Sequence, residues 1–141
     1  MQLKEILEAK GRSVLTIEPT ASLADVVTRL CEHNCGALIV YQDEKITGII
    51  SERDILRAIA EVDNPLEEIS VKTRMTRDVV TGSPQDNIND TMGVMTRNRI
   101  RHLPVLDEGK LAGLISIGDI VKAQHEKFER ENHLLMAYIQ S

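Results

Sequence analysis

Two short runs carry the side chains best suited to chemistry: Gly48-Ile49-Ile50-Ser51-Glu52-Arg53-Asp54 and Gly113-Leu114-Ile115-Ser116-Ile117-Gly118-Asp119. In each, an apolar strand pattern runs straight into a Ser-x-x-Asp helix start. The plain role of that spacing is a capping box, in which the hydroxyl accepts from an orphan amide while the carboxylate reaches back. Ser22/Asp25 and Asn87/Asp90 repeat the spacing, so spacing alone reads as structural at all four places. Position separates the pairs at 51/54 and 116/119 from the others. A helix start at a strand's end presents free amides and a favourable dipole to polar or anionic groups, and a carboxylate there can accept both hydroxyls of a ribose. The neighbouring Ser hydroxyl can serve the sugar or an adjacent phosphate oxygen.

The two runs are not equivalent. Gly118 removes a side chain beside Asp119 where the first copy has Arg53, and Arg97, Arg99, Arg101 and His102 form a basic run whose counterparts are Glu32, Asn34, Gly36 and Ala37. Guanidinium forks suit phosphate oxygens. Arg101 and His102, at the mouth of a strand that hairpins into the Ser116/Asp119 strand, are therefore expected to meet phosphate. Arg99 is a further candidate, and Arg97 is expected to face solvent or pair.

The elements that must position these residues repeat at a fixed offset. Sliding the chain by 65 residues pairs Val14 with Val79, Pro19 with Pro84, Leu38 with Leu103, Gly48 with Gly113, Ser51 with Ser116 and Asp54 with Asp119 without a gap. The first copy reads as a strand at 14–17, a helix from Ser22 to about His33, a strand at 37–41, a turn at Gln42-Asp43-Glu44, a strand at 45–50 and a helix from Ser51 to about Glu61. The expected divisions are a lead-in helix at 1–13, copies at 14–61 and 79–125, a linker at 62–78 with one helical turn near 66–70, and a helical extension at 126–141. If approximate two-fold symmetry relates the copies, the motif residues line a cleft between them.

The 141 residues suffice for a real core, but the only aromatics are Tyr41, Phe128 and Tyr138, so a nucleobase would lie between aliphatic side chains. A net charge of -5 argues against nucleic acid or an anionic membrane as the general partner. No run nears the roughly 18 apolar residues of a membrane span, and the first residues lack the apolar core of a secretion signal, which points to the cytosol. Cys31 and Cys35 flank His33 but lack a second ligand pair, so they are expected to be buried or partly buried thiols rather than a zinc site. There is no Gly-x-Gly-x-x-Gly, no Walker-type loop and no His-Glu-x-x-His, and no base stands beside either serine, so catalysis is not expected.

The duplicated Gly-h-h-Ser-x-x-Asp, with Arg101-His102-Leu103-Pro104-Val105, resembles a tandem pair of cystathionine β-synthase (CBS) domains, a Bateman module, over residues 14 to about 125. The resemblance implies an α+β fold of two β-α-β-β-α repeats and a non-catalytic regulatory module. Its implied ligands are adenosyl compounds: AMP, ADP, ATP, NAD or S-adenosylmethionine. It puts the ribose on Asp54 and Asp119 with Ser51 and Ser116 beside them, and phosphate on Arg101 and His102. It adds Ser13 and Val14 to the Asp119 site and Asp78 and Val79 to the Asp54 site. It further implies a homodimer built through helices carrying Ile55, Leu56 and Ile59 or Ile120 and Val121, extended by the C-terminal helix and read by a regulated protein partner. The alternative is an interaction module with vestigial nucleotide sites.

Overall fold

The computed structural model describes residues 1–140. It contains α1 (Leu3–Lys10), β1 (Thr16–Ile17), α2 (Leu23–His33), β2 (Ala37–Gln42), β3 (Lys45–Ser51) and α3 (Glu52–Glu61), then a 3-10 turn (Leu66–Glu68) and α4 (Val71–Arg74). The second half comprises α5 (Ile88–Arg97), β4 (His102–Asp107), β5 (Lys110–Ser116) and α6 (Ile117–Gln140). The class is the expected mixture of helices and strands, and the 65-residue offset carries β2 onto β4 and β3 onto β5 residue for residue.

The chain divides into two compact units. One holds residues 13–80 with 108–111, and the other holds 1–12, 81–107 and residues from 112 onward.

In the first of these, β1 pairs parallel with β2 and β2 antiparallel with β3. Leu23, Val26 and Leu30 of α2, Leu38 and Val40 of β2, Ile50 of β3, and Ile55 and Ala58 of α3 form one apolar cluster with Ile69 and Val71. Each fully buried Leu or Ile there contributes about 1.5–3 kcal/mol. Segment 75–76 closes the edge of β3: Ile49 and Thr76 exchange backbone hydrogen bonds of 3.0 and 2.9 Å. Gly48 permits this approach, since a Cβ there would lie 2.8 Å from the Thr76 carbonyl oxygen.

In the other unit, Leu3 and Leu7 of α1 are fully buried, as are Met95 of α5, Ile115 of β5 and Ile120 of α6. The opening strand of this second copy is reduced to one parallel bridge, Gly82 to Val105. Proline explains the loss. In the first copy the Ile39 amide donates to the Leu15 carbonyl, whereas the counterpart of Ile39 is Pro104, which has no N–H to give. The strand expected from Val14 is likewise short, beginning at Thr16.

Both hairpins turn on two residues with positive φ, Asp43 (52°) and Glu44 (62°) in one and Glu108 (50°) and Gly109 (80°) in the other. That is the geometry that matches strand twist in a two-residue turn. Cys31 is exposed and Cys35 half-buried, so the expectation of burial fails for Cys31, which sits on the solvent side of α2.

Candidate functional site

Strand β5 delivers Ser116 to the start of α6, and the capping box closes reciprocally. The Ser116 amide donates to Asp119 Oδ2 at 2.8 Å and the Asp119 amide donates to Ser116 Oγ at 3.1 Å. At β3–α3 the Ser51 amide donates to Asp54 Oδ2 at 2.9 Å, while the Ser51 hydroxyl donates to the same oxygen at 3.3 Å. Ser22 and Asp25 form the same box. Asn87 and Asp90 do not: the Asn87 side chain instead accepts from the Asn89 amide at 2.7 Å, two residues on, as Asn side chains do in Asx turns.

The basic segment is tied to that helix start. The Ile117 amide donates to the Arg101 carbonyl at 2.8 Å, fixing the entry to β4 beside Ser116. The counterpart bond runs from the Glu52 amide to the Gly36 carbonyl at 3.0 Å. Arg101 is exposed and His102 half-buried at the head of β4. Arg99 is exposed and holds a left-handed backbone at φ 53°, as does its counterpart Asn34 at φ 50°. That conformation suits Asn better than Arg. Arg97 is exposed on the last turn of α5.

The remaining candidates lie in the other unit. Ser13 is exposed and Val14 half-buried just ahead of β1, and Asp78 is exposed and Val79 half-buried beyond α4. Among the described residues no hydrogen bond joins Asp78 or Val79 to Ser51 or Asp54.

One participant escaped sequence reasoning. Lys10, the last residue of α1, places Nζ 2.6 Å from Asp119 Oδ2 and 2.8 Å from the Leu114 carbonyl. On the 65-residue offset Lys10 aligns with Met75 and Leu114 with Ile49, whose carbonyl is satisfied by the Thr76 amide. The two copies thus satisfy the same edge carbonyl differently, one with a backbone donor and the other with an ammonium that also neutralises the motif carboxylate. Burial pushes the Asp119 carboxyl up. The Lys10 ammonium and the Ser116 amide and hydroxyl outweigh that and hold it below the ordinary carboxylate value. The alignment with a chain segment that closes the other copy's strand edge was the available clue.

Lys10 and Asp119 border a groove of about 600 Å³ between α1 and α6, within the size range of small-molecule sites. A larger groove of about 830 Å³ lies along Thr16, Glu18, Asp25, Glu32 and Asp43. It touches neither Ser51 and Asp54 nor Ser116 and Asp119, and Arg29 stands among its carboxylates. Among the described residues no helix is long and apolar enough to cross a membrane, and no His, Cys, Asp and Glu side chains gather to hold a metal.

The CBS domain model matches residues 4–61 and 66–126. The mitochondrial CBS domain-containing protein CBSX3 of Arabidopsis thaliana is 33% identical over 98% of this chain and 71% of its own length. Several other curated relatives are longer, and the chain spans as little as 22% of one of them. Among solved structures, a CBS-domain containing protein of Agrobacterium tumefaciens is 38% identical, covers 88% of this chain and 99% of its own, and superposes with a TM-score of 0.85. A CBS domain protein of Pyrobaculum aerophilum complexed with AMP is 27% identical, with 84% and 89% coverage and a TM-score of 0.75. With both matched segments together spanning most of its length, the chain belongs to the CBS-domain family and carries two copies of the domain.

Proposed function

We propose that the protein is a non-catalytic regulatory module that binds an adenosyl ligand, namely AMP, ADP, ATP or NAD, with Asp119 holding the ribose. Ser116 stands beside the sugar, and Arg101 and His102 serve the phosphate, with Arg99 next to them. Ser51, Asp54, Asp78 and Val79 are assigned to a second, weaker site, where Gly36 replaces the arginine.

The observation that carries this reading is the bond from the Ile117 amide to the Arg101 carbonyl, which tethers a basic segment to the helix start where Ser116 and Asp119 meet. The similarity to an AMP-bound CBS protein supports the choice of ligand. Isothermal titration of the protein with AMP, ATP and NAD tests it. Saturable binding of at least one is expected, and no binding of any contradicts it.

The proposed output is a change in a homodimer that a partner protein reads. Leu56, Ile59 and Val121 are exposed on α3 and α6, with Leu56 and Val121 at equivalent positions. Ile55 and Ile120, expected on that surface, are instead 7% and 0% exposed and belong to the cores. A second reading, an interaction module with vestigial sites, draws on the far half of α6, where Phe128, Leu134, Leu135, Tyr138 and Ile139 are all more than half exposed.

A further inference from the structure

We infer that Lys10 is a specificity-determining residue that makes the Asp119 site select anionic adenosyl ligands over neutral or cationic ones. This deepens the nucleotide-binding reading above and rests on it.

The motif carboxylate is already occupied. The Ser116 amide and the Lys10 ammonium both converge on Asp119 Oδ2, and Lys10 also caps the Leu114 carbonyl. A ribose whose two hydroxyls take both oxygens of Asp119 must therefore compete with the ammonium for Oδ2. The contact is not locked: the Lys10 side chain is 38% exposed, against 23% for Asp119. Lysine is a point charge on a flexible stem with three donors, able to swing to a new acceptor while its backbone stays at the end of α1.

The charge of the incoming ligand decides whether that exchange is balanced. A phosphate offers the displaced ammonium a charge-assisted partner, so the carboxylate passes to the ribose and the cation passes to the phosphate. Adenosine presents only the sugar and leaves the ammonium without its counter-ion. S-adenosylmethionine brings a positive sulfonium to a place that already holds Lys10 and, one strand away, Arg101. The first copy has Met75 where the second has Lys10, so the same selection does not operate at Asp54.

The test is calorimetric titration of the wild type, Lys10→Gln and Lys10→Arg with AMP, adenosine and S-adenosylmethionine, with circular dichroism confirming that each variant is folded. Lys10→Gln is expected to weaken AMP about tenfold, the effect of one charge-assisted contact, and to leave adenosine and S-adenosylmethionine unchanged or tighter. Lys10→Arg, which keeps the charge, is expected to retain the preference for AMP. An unchanged AMP-to-adenosine ratio in Lys10→Gln overturns the inference while leaving nucleotide binding intact. Absence of binding by all three ligands to the wild type overturns the nucleotide reading, and the inference with it.

Discussion

Lys10 and Asp119 stand 109 positions apart in the sequence and meet at 2.6 Å, joining the end of one helix to the start of another. The pair is partly exposed, which limits its worth to about 0.5–1 kcal/mol. Because the folded Asp119 carboxyl titrates below its ordinary value, its contribution is fully present above the unfolded value of about 3.9 and is lost as pH falls through the folded one. Lys10→Met should therefore lower stability at neutral pH by that amount and make little difference in strong acid. Urea unfolding of both proteins at each pH measures it. An equal loss at both would point to lost packing instead of charge.

The motif glycines are placed by contact. A Cβ on Gly48 would sit 2.8 Å from both Met75 Sδ and the Thr76 carbonyl oxygen, and one on Gly113 would run into Leu7, whose side chain is fully buried. Alanine at either position should cost about 1–3 kcal/mol, in the range of overpacked cores. Gly48→Ala should also weaken hydrogen-exchange protection of the Thr76 amide, because backbone must move there.

Glu44 carries a cost that its counterpart Gly109 avoids, since both occupy the second left-handed position of a two-residue hairpin turn. Glu44→Gly should raise stability by up to about 1 kcal/mol, and Gly109→Ala should lower it by a similar amount. Thermal unfolding of the two variants reads both, and a destabilised Glu44→Gly protein would count against the turn assignment.

Much of this was visible in the chain. The 65-residue offset, the hairpins, the helix starts at Ser22, Ser51 and Ser116 and the motif glycines follow from local pattern, where one side chain and its near neighbours decide the outcome. What escaped depended on partners far away or on a missing atom. The local pattern around Pro104 still reads as a strand, yet its lack of an amide hydrogen removes the bond that β1 makes in the first copy. Ile55 and Ile120 share helical faces with exposed neighbours, and only tertiary packing shows that they point inward. Lys10 is locally only a basic residue in the last turn of a short helix. Its role depends on where α6 begins.

The proposed dimer rests on Leu56, Ile59 and Val121. Leu56→Asp combined with Val121→Asp should leave the fold intact, since both side chains are more than half exposed, and yield a monomer by light scattering. A dimer that persists in the double variant but dissociates when residues 127–141 are deleted would move the interface to the far half of α6.

The most direct measurement is calorimetric titration of AMP, ATP and NAD into the wild type, Asp119→Ala and Asp54→Ala. With Asp119 holding the ribose, Asp119→Ala should lose at least about tenfold in affinity, the effect expected for hydrogen bonds to a charged group. Asp54→Ala should keep the tighter site. Unchanged affinity in a folded Asp119→Ala protein would contradict the account.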